Sequence, residues 1–210
     1  LAAGGLRDRS VAITVAEDQF VVDASNFSTR RNLASSYNHL GGVLLDMGRP
    51  ADAIPALRRA GAEQRWLFER DASNHSDGSN LSTSLMWESQ CLTKLGRHAE
   101  AIPRALEALA VRESLLTRSA GDAANIGNLG SAAGAVGLAY VGEARDARTP
   151  PARRVECWRS ARASFVRSAE VFERLKGGGA LMDFWRQDHV RSLQGMAACD
   201  SALAKLGARR

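Results

Sequence analysis

Residues 32–55 read NLASSYNHLGGVLLDMGRPADAIP, and residues 80–103 read NLSTSLMWESQCLTKLGRHAEAIP. The second stretch copies the first at a constant offset, so that Asn32 corresponds to Asn80 and Pro55 to Pro103. The linker repeats at the same offset, because residues 23–26 and 71–74 both read DASN. Repetition of this kind is typical of stacked supersecondary units. Such a stack usually functions by holding a partner on its surface.

Each copy carries the pattern of a helix pair. Apolar residues recur every three or four positions in the first half of the copy, which predicts an amphipathic helix. Gly48 and Gly96 then follow, where a left-handed residue can end a helix. Pro50 suits the first turn of the next helix, since its missing N–H has no helical partner there. We therefore expect two antiparallel helices in each unit.

We expect one helical domain over residues 1–210. Its units cover roughly residues 30–71, 79–119 and 124–176, and single helices flank them at 8–23 and 181–206. The third unit is longer, because residues 145–151 interrupt the register, so one or both of its helices should project beyond the stack. The chain begins at Leu1, and we expect it to be part of a longer protein.

Composition limits the chemistry. The net charge of +5 and the isoelectric point near 9.6 permit an acidic partner. Arginine is spread along all helices without a basic run, so nucleic-acid binding is only an alternative. Binding to a partner that does not weaken with added salt would exclude it. Three distant cysteines show no metal-ligand spacing. We predict no catalytic residues, no metal and no cofactor.

The four histidines also lack ligand pairing, and we expect solvated or helix-capping roles for them: His39, His75, His98 and His189. Residues 123–142 carry no charge, but they are too rich in glycine and polar residues to span a membrane. The cytoplasm is the default compartment. An extracytoplasmic location is the alternative if a membrane helix precedes this region in the parent protein.

The apolar pattern resembles the tetratricopeptide repeat. Leu40 and Gly41 form the Leu-Gly step of that pattern in unit one, and Leu44 follows it. Ala53 lies at the later small position and Leu57 at the position that is usually aromatic. Unit three keeps the pattern, whereas unit two has Glu88-Ser89 in place of Leu-Gly. The resemblance implies an all-α solenoid: a right-handed superhelix of antiparallel helix pairs, with about three long repeats.

A narrower resemblance is to the C-terminal repeat regions of bacterial serine/threonine protein kinases. Asp23 to Asn26 and Asp122 to Asn125 are similar to the linkers of those regions. Residues 149–177 are similar to their closing sequence, with Thr149-Pro150-Pro151 followed by Phe165 and Gly177. No kinase motif lies in this chain itself. The resemblance implies a regulatory or scaffolding region of a larger signalling protein.

The first helices of stacked units form a concave face, and the helical wheel predicts which residues line it. This predicted lining is small, polar and nearly uncharged, without the Lys/Arg pair that would clamp a carboxylate. It comprises Ser35, Asn38, Gly42, Thr83, Met86, Gln90, Ser131, Gly134 and Leu138. We expect a protein or peptide segment, extended or helical, as the partner.

Three alternatives stay open at this point. The chain could be a self-association module that dimerises its parent through the projecting helices of unit three. It could be an enzyme with a site in the groove, or the groove could bind nothing and be filled by the terminal helix.

Overall fold

The computed structural model describes residues 14, 17–23, 25–119 and 121–207. These residues contain helices and turns and no strand, which confirms the predicted all-α, tetratricopeptide-like solenoid. The helices are α1 (Phe27–Asp46), α2 (Pro50–Arg70), α3 (His75–Lys94), α4 (His98–Arg118), α5 (Ala123–Arg145), α6 (Pro151–Gly177) and α7 (Asp183–Gly207). Residues 17–22 are also helical; of the flanking helix predicted over 8–23, residues 8–13, 15 and 16 lie outside the described residues.

The turns inside the units are the same in both copies. Gly48 and Gly96 have φ of 70° and 69°, a left-handed conformation that glycine adopts without steric cost. The following Arg49 and Arg97 amides donate to the Leu44 and Leu92 carbonyls at 2.8 and 2.9 Å. The predicted helix stops at these glycines are therefore confirmed.

The linkers between units cap the helices that follow. Asn26, Asn74 and Asp122 are equally spaced along the chain, and each side chain accepts hydrogen bonds from the first-turn amides of α1, α3 and α5. The repeat equivalent of Asp122 is Asn26, because the capping position is what the units share.

These caps also explain why the helices start before the apolar pattern does. We expected the first helix of unit two at Asn80, and α3 begins at His75. Its first turn is polar, and the buried carboxylate of Asp77 there pairs with the partly exposed Arg31 of α1 at 2.8 Å. Apolar periodicity alone cannot detect a turn that is polar and held by charge.

The contacts between helices define the curvature of the stack. Each helix packs on its neighbour in sequence, and the first helices also touch one another, α1 on α3, α3 on α5 and α5 on α7. Among the described residues, no comparable contact joins the second helices α2, α4 and α6. The first helices are therefore closer together, which places them on the concave side.

Within a unit, one small residue lets the two helices approach closely. A Cβ added at Gly41 would lie 2.6 Å from Leu57 Cγ, and one at Gly137 would lie 2.7 Å from Phe165 Cε1. At the equivalent position of unit two, the Ser89 hydroxyl donates to the Ala101 carbonyl at 2.8 Å. The substituted Glu88-Ser89 pair therefore preserves the pairing of α3 with α4.

Helix α7 covers the long third unit. It packs on α6, where Trp158 and Phe165 form a buried cluster with Cys199. At its other end, Trp185 of α7 lies against Gly127 of α5. None of the described helices is both long enough and apolar enough to cross a membrane, and α5, which contains the uncharged segment 123–142, packs between α4 and α6.

Candidate protein-binding trough

The concave side carries a continuous trough made of two adjoining pockets. The smaller, of about 340 Å³, lies between α1 and α3 and is lined by Gly42, Leu45, Asp46, Trp87, Gln90 and Lys94. The larger, of about 510 Å³, lies between α3, α5 and α7. Trp87, Gln90 and Lys94 line both pockets, so α3 is the wall that they share.

The Trp87 indole is the main apolar element of that wall. It is half-buried and packs toward α1, where a Cβ added at Gly42 would lie 3.1 Å from the ring. The absence of a side chain at residue 42 leaves room for the indole. Large aromatic surfaces that remain partly exposed are common anchors for protein partners.

The larger pocket has a mixed apolar and polar lining. Met86, Leu138 and Phe165 provide its apolar surface, and Leu138 is 54% exposed. Ser168 and Ser192 lie below Gly134, with their hydroxyl oxygens 2.8 Å apart. Each hydroxyl also has a backbone carbonyl within hydrogen-bond distance, Gly130 for Ser168 and Asp188 for Ser192, so two hydroxyl protons are shared among three contacts that connect α5, α6 and α7.

Four charged residues lie along the larger pocket. Asp188 accepts a hydrogen bond from Ser131 at 2.7 Å and pairs with Arg191 at 3.2 Å, so it is held between α5 and α7. Lys94 and Arg145 line the same pocket, and no carboxylate among the described residues lies within ion-pair distance of either. The two pockets together are lined by the cations Lys94, Arg145 and Arg191 and by the carboxylates Asp46 and Asp188, and the first two cations form no ion pair with a described residue.

On the outer faces, several of the arginines are paired with carboxylates. Arg58 pairs with both Glu88 and Glu100, and Arg97 also pairs with Glu100. Arg153 forms a bidentate pair with Glu143, at 2.9 and 3.0 Å. Arg159 and Arg174 of α6 are also exposed without an ion pair to a described residue, so Lys94 and Arg145 are distinguished by their position beside the apolar lining of the trough.

Six of the nine residues predicted for the concave face line the two pockets: Gly42, Met86, Gln90, Ser131, Gly134 and Leu138. Ser35 is exposed on α1 but lines neither pocket. Asn38 is only 9% exposed, and its Oδ1 lies 3.0 Å from the Ser84 hydroxyl. Thr83 lies against the buried Arg112 guanidinium at 3.3 Å.

The predicted character of the lining needs correction. We expected a nearly uncharged face without a Lys/Arg pair, whereas Lys94, Arg145 and Arg191 lie along it. Lys94 and Arg145 occupy the last turns of α3 and α5, beyond the positions that the helical wheel considered. Trp87 packs against the core cluster of units one and two and also lines both pockets.

Two histidines were also wrongly placed. We expected solvated or capping roles, but His189 is buried in α7 with its Nε2 3.1 Å from Glu173 Oε1. His98, at the start of α4, lies largely enclosed with its Nε2 3.3 Å from Asp146 Oδ2. Both rings join neighbouring helices or turns, which makes them structural contacts.

The thiols are buried and weakly acidic. Desolvation raises the pKa of Cys91 to about 11, and desolvation together with the nearby Glu143 carboxylate raises the pKa of Cys157 to about 12. Thiols in this state are poor nucleophiles at neutral pH. In the described part of the chain, no group of three His, Cys, Asp or Glu residues could hold a metal ion.

Comparison with known protein families identifies a repeat within the helix pair of unit one. The sequence profile of a family described as tetratricopeptide repeat matches residues 33–60, which cover most of α1 and the first half of α2. No curated protein matches the chain significantly. The crystal structure of BtubC (BKLC) from P. vanneervenii shares 12% identity over 100% of this chain and 92% of that chain, with a TM-score of 0.30, too low to support an argument.

Proposed function

We propose that this chain is a non-catalytic module that binds a segment of another protein in the trough. Tetratricopeptide repeats are generally protein-interaction modules, and the stacked helix pairs of this chain have that architecture. The segment would lie across the first helices, with an apolar side chain against Trp87 and Leu138. Lys94 and Arg145 would receive acidic groups of the segment.

The observation that carries this proposal is the pair of cations without a carboxylate beside exposed apolar surface. Lys94 and Arg145 form no ion pair with a described residue, whereas several arginines on the outer faces are paired with carboxylates. A site left charged in this way binds an oppositely charged group without first breaking an internal ion pair. An apolar wall beside it supplies the burial that fixes a segment in place.

The parent protein is part of the same proposal. A regulatory or scaffolding region of a bacterial serine/threonine kinase is suggested by the resemblance of residues 149–177. In the fold, these residues form a corner: the Thr149 hydroxyl donates to the Glu143 carbonyl at 2.6 Å, and Pro151 opens α6. The resemblance therefore concerns how the third unit is built, and the kinase context stays a prediction.

A random peptide library displayed on phage tests the proposal. Panning on the immobilised chain should enrich peptides that combine an apolar residue with Asp or Glu. Binding of the enriched peptides should weaken at least about tenfold in a K94E/R145E variant, because like charges then face each other. A W87A variant should weaken binding through loss of the apolar wall.

The matched control is R159E/R174E, which reverses two charges on the outer helix α6, where neither residue lines the trough. This variant should bind the enriched peptides as the unmodified chain does. The absence of any enrichment above a blank surface would refute the binding function. Enrichment without an acidic bias would refute only the role given to Lys94 and Arg145.

A further inference from the structure

Helix α7 is the first helix of a fourth unit. It starts at Asp183 as α5 starts at Ala123, and the two helices can be aligned from these first residues. In this alignment the buried positions coincide, since Leu129, Ala132 and Ala139 correspond to His189, Ser192 and Cys199, all of which are buried. The corresponding face of α7 packs on α6, as each earlier first helix packs on the helix before it.

The opposite face of α7 lacks the cover that the other units provide. In α5 the second helix of the unit covers Gly130, Ala133 and Gly137, and Phe172 and Phe165 pack directly on the two glycines. The equivalent residues of α7 are Val190, Leu193 and Ala197. Val190 is 50% exposed, Leu193 is 45% exposed, and Ala197 is exposed as well.

These residues lie on a regular stripe along α7. The stripe alternates steps of four and three positions, as in a helix–helix seam, and comprises Arg186, Val190, Leu193, Ala197, Asp200 and Ala204. Arg186 and Asp200 lie at equal distances along the sequence on either side of Leu193. A second α7 packed antiparallel about Leu193 would place each arginine opposite the partner's aspartate.

We propose that the chain self-associates through this face of α7, with a second copy of itself as the occupant. An antiparallel α7 pair is an isologous two-fold contact, in which one patch is complementary to itself. Leu193 would pack on its own copy, and Val190 and Ala197 would extend the apolar contact. Arg186 and Asp200 would form two symmetric ion pairs at its edges.

The internal partners of these two charges do not oppose the contact. Arg186 pairs with Asp183, and Asp200 pairs with Arg162, but all four side chains are substantially exposed. Exposed pairs of this kind contribute little to stability, so little free energy is lost when a side chain leaves one of them. The surface also differs from the trough, since Val190, Leu193 and Ala197 do not line the larger pocket.

Sedimentation equilibrium of the full chain over a range of concentrations tests the proposal. We expect a reversible monomer–dimer equilibrium that an L193E variant abolishes. The matched control is L106E, which places a charge on Leu106, an apolar residue of α4 that is 42% exposed. This control should dimerise normally, and circular dichroism should show that both variants keep their helical content.

Charge exchange makes the test specific for the antiparallel arrangement. R186D and D200R should each raise the dissociation constant about tenfold or more, because each brings like charges together across the two-fold axis. The double variant R186D/D200R should restore affinity, since the opposed pairs are rebuilt with inverted sign. A chain that stays monomeric at all concentrations, or a double variant no better than the single ones, would overturn the proposal.

Discussion

At the residue scale, the close approach of helices in this stack depends on the side chains that are missing. Gly127, Gly130 and Gly137 of α5 each lie where a Cβ would overlap an aromatic ring of α6 or α7. Glycine inside a helix costs up to about 1 kcal/mol relative to alanine. These glycines are tolerated because the large rings they admit bury far more apolar surface than alanine would.

This reasoning predicts opposite effects for two glycine-to-alanine substitutions. G127A should destabilise the chain by about 1–3 kcal/mol, because the new methyl overlaps the buried Trp185 indole. G61A, in α2, should be neutral or stabilise by up to about 1 kcal/mol, since its Cβ would lie 4.0 Å from Ser84 Cβ. Urea denaturation followed by circular dichroism measures both. Equal changes in the two variants would contradict the packing argument.

Arg112 shows how a buried charge is accommodated without a carboxylate. Its guanidinium donates to the Ser79 and Ser82 hydroxyls at 2.6 and 3.0 Å and to the Ser79 carbonyl at 2.9 Å. Burial lowers the pKa of Arg112 to about 10, so the group stays charged at neutral pH. Neutral oxygens therefore provide the contacts that an ion pair provides elsewhere, and they tie α4 to the start of α3.

At the element scale, the corner between α5 and α6 includes an ion pair between the two helices. Glu143, in the last turn of α5, accepts two hydrogen bonds from Arg153 in the first turn of α6 and lies 3.2 Å from Cys157 Sγ. The Arg153 hydrogen bonds hold the pKa of Glu143 below its usual value of 4.5. The corner is thus sensitive to acid.

The lowered pKa fixes the sign of a pH effect. Because the folded chain binds a proton at Glu143 less readily than the unfolded chain, this contribution to stability is complete above about pH 5 and is lost as the pH falls through the folded pKa. An E143Q variant should be about 0.5–1 kcal/mol less stable at neutral pH. The difference from the unmodified chain should shrink as the pH falls below about 5.

Thermal or urea unfolding at several pH values provides the measurement. E156Q is the matched control, because Glu156 contacts the same arginine at a longer 3.5 Å and is 63% exposed. This variant should follow the pH profile of the unmodified chain. A stability difference for E143Q that is independent of pH would show that the carboxylate charge at residue 143 does not stabilise the corner.

At the scale of the whole molecule, the repeat predicts much of the fold but less of the site. The constant offset between the copies locates the paired helices and their glycine stops, since both depend on local sequence. It also selects Gly42, Gln90 and Leu138 for the trough. Equivalent positions carry different side chains, however. Asn38 of unit one and Gly134 of unit three are equivalent, but Asn38 is buried beside Ser84 whereas Gly134 lines the larger pocket.

The charges of the trough depend on packing between distant elements. Lys94 and Arg145 come together because α3 packs on α5, and Asp188 and Arg191 join them because α7 returns to the same side. The sequence contains no local signal that residues 94, 145 and 191 share one surface. Residues 145–151 interrupt the repeat, and α6 is the longest of the described helices. The fourth unit therefore begins later than the constant offset between the first units predicts, and that offset no longer aligns α7 with α5.

Stacked units of this type should lose structure locally. Each helix contacts mainly its neighbours, so stability is carried by the units and by the interfaces between adjacent units. Phe165 is almost fully buried and packs on Gly137 of α5 and on Gly195 of α7. An F165A variant should therefore cost about 3–5 kcal/mol and weaken α5, α6 and α7 together.

Hydrogen–deuterium exchange resolved by peptide would show where that cost falls. Backbone amides of α5 to α7 should lose protection in F165A, whereas those of α1 and α2, two units away, should keep nearly the protection of the unmodified chain. The matched variant L57A, which removes the residue packed on Gly41 in unit one, should produce the reverse pattern. If either variant lowered protection equally from α1 to α7, the chain would unfold as one cooperative body, and the account of the stack as a series of neighbouring units would be wrong.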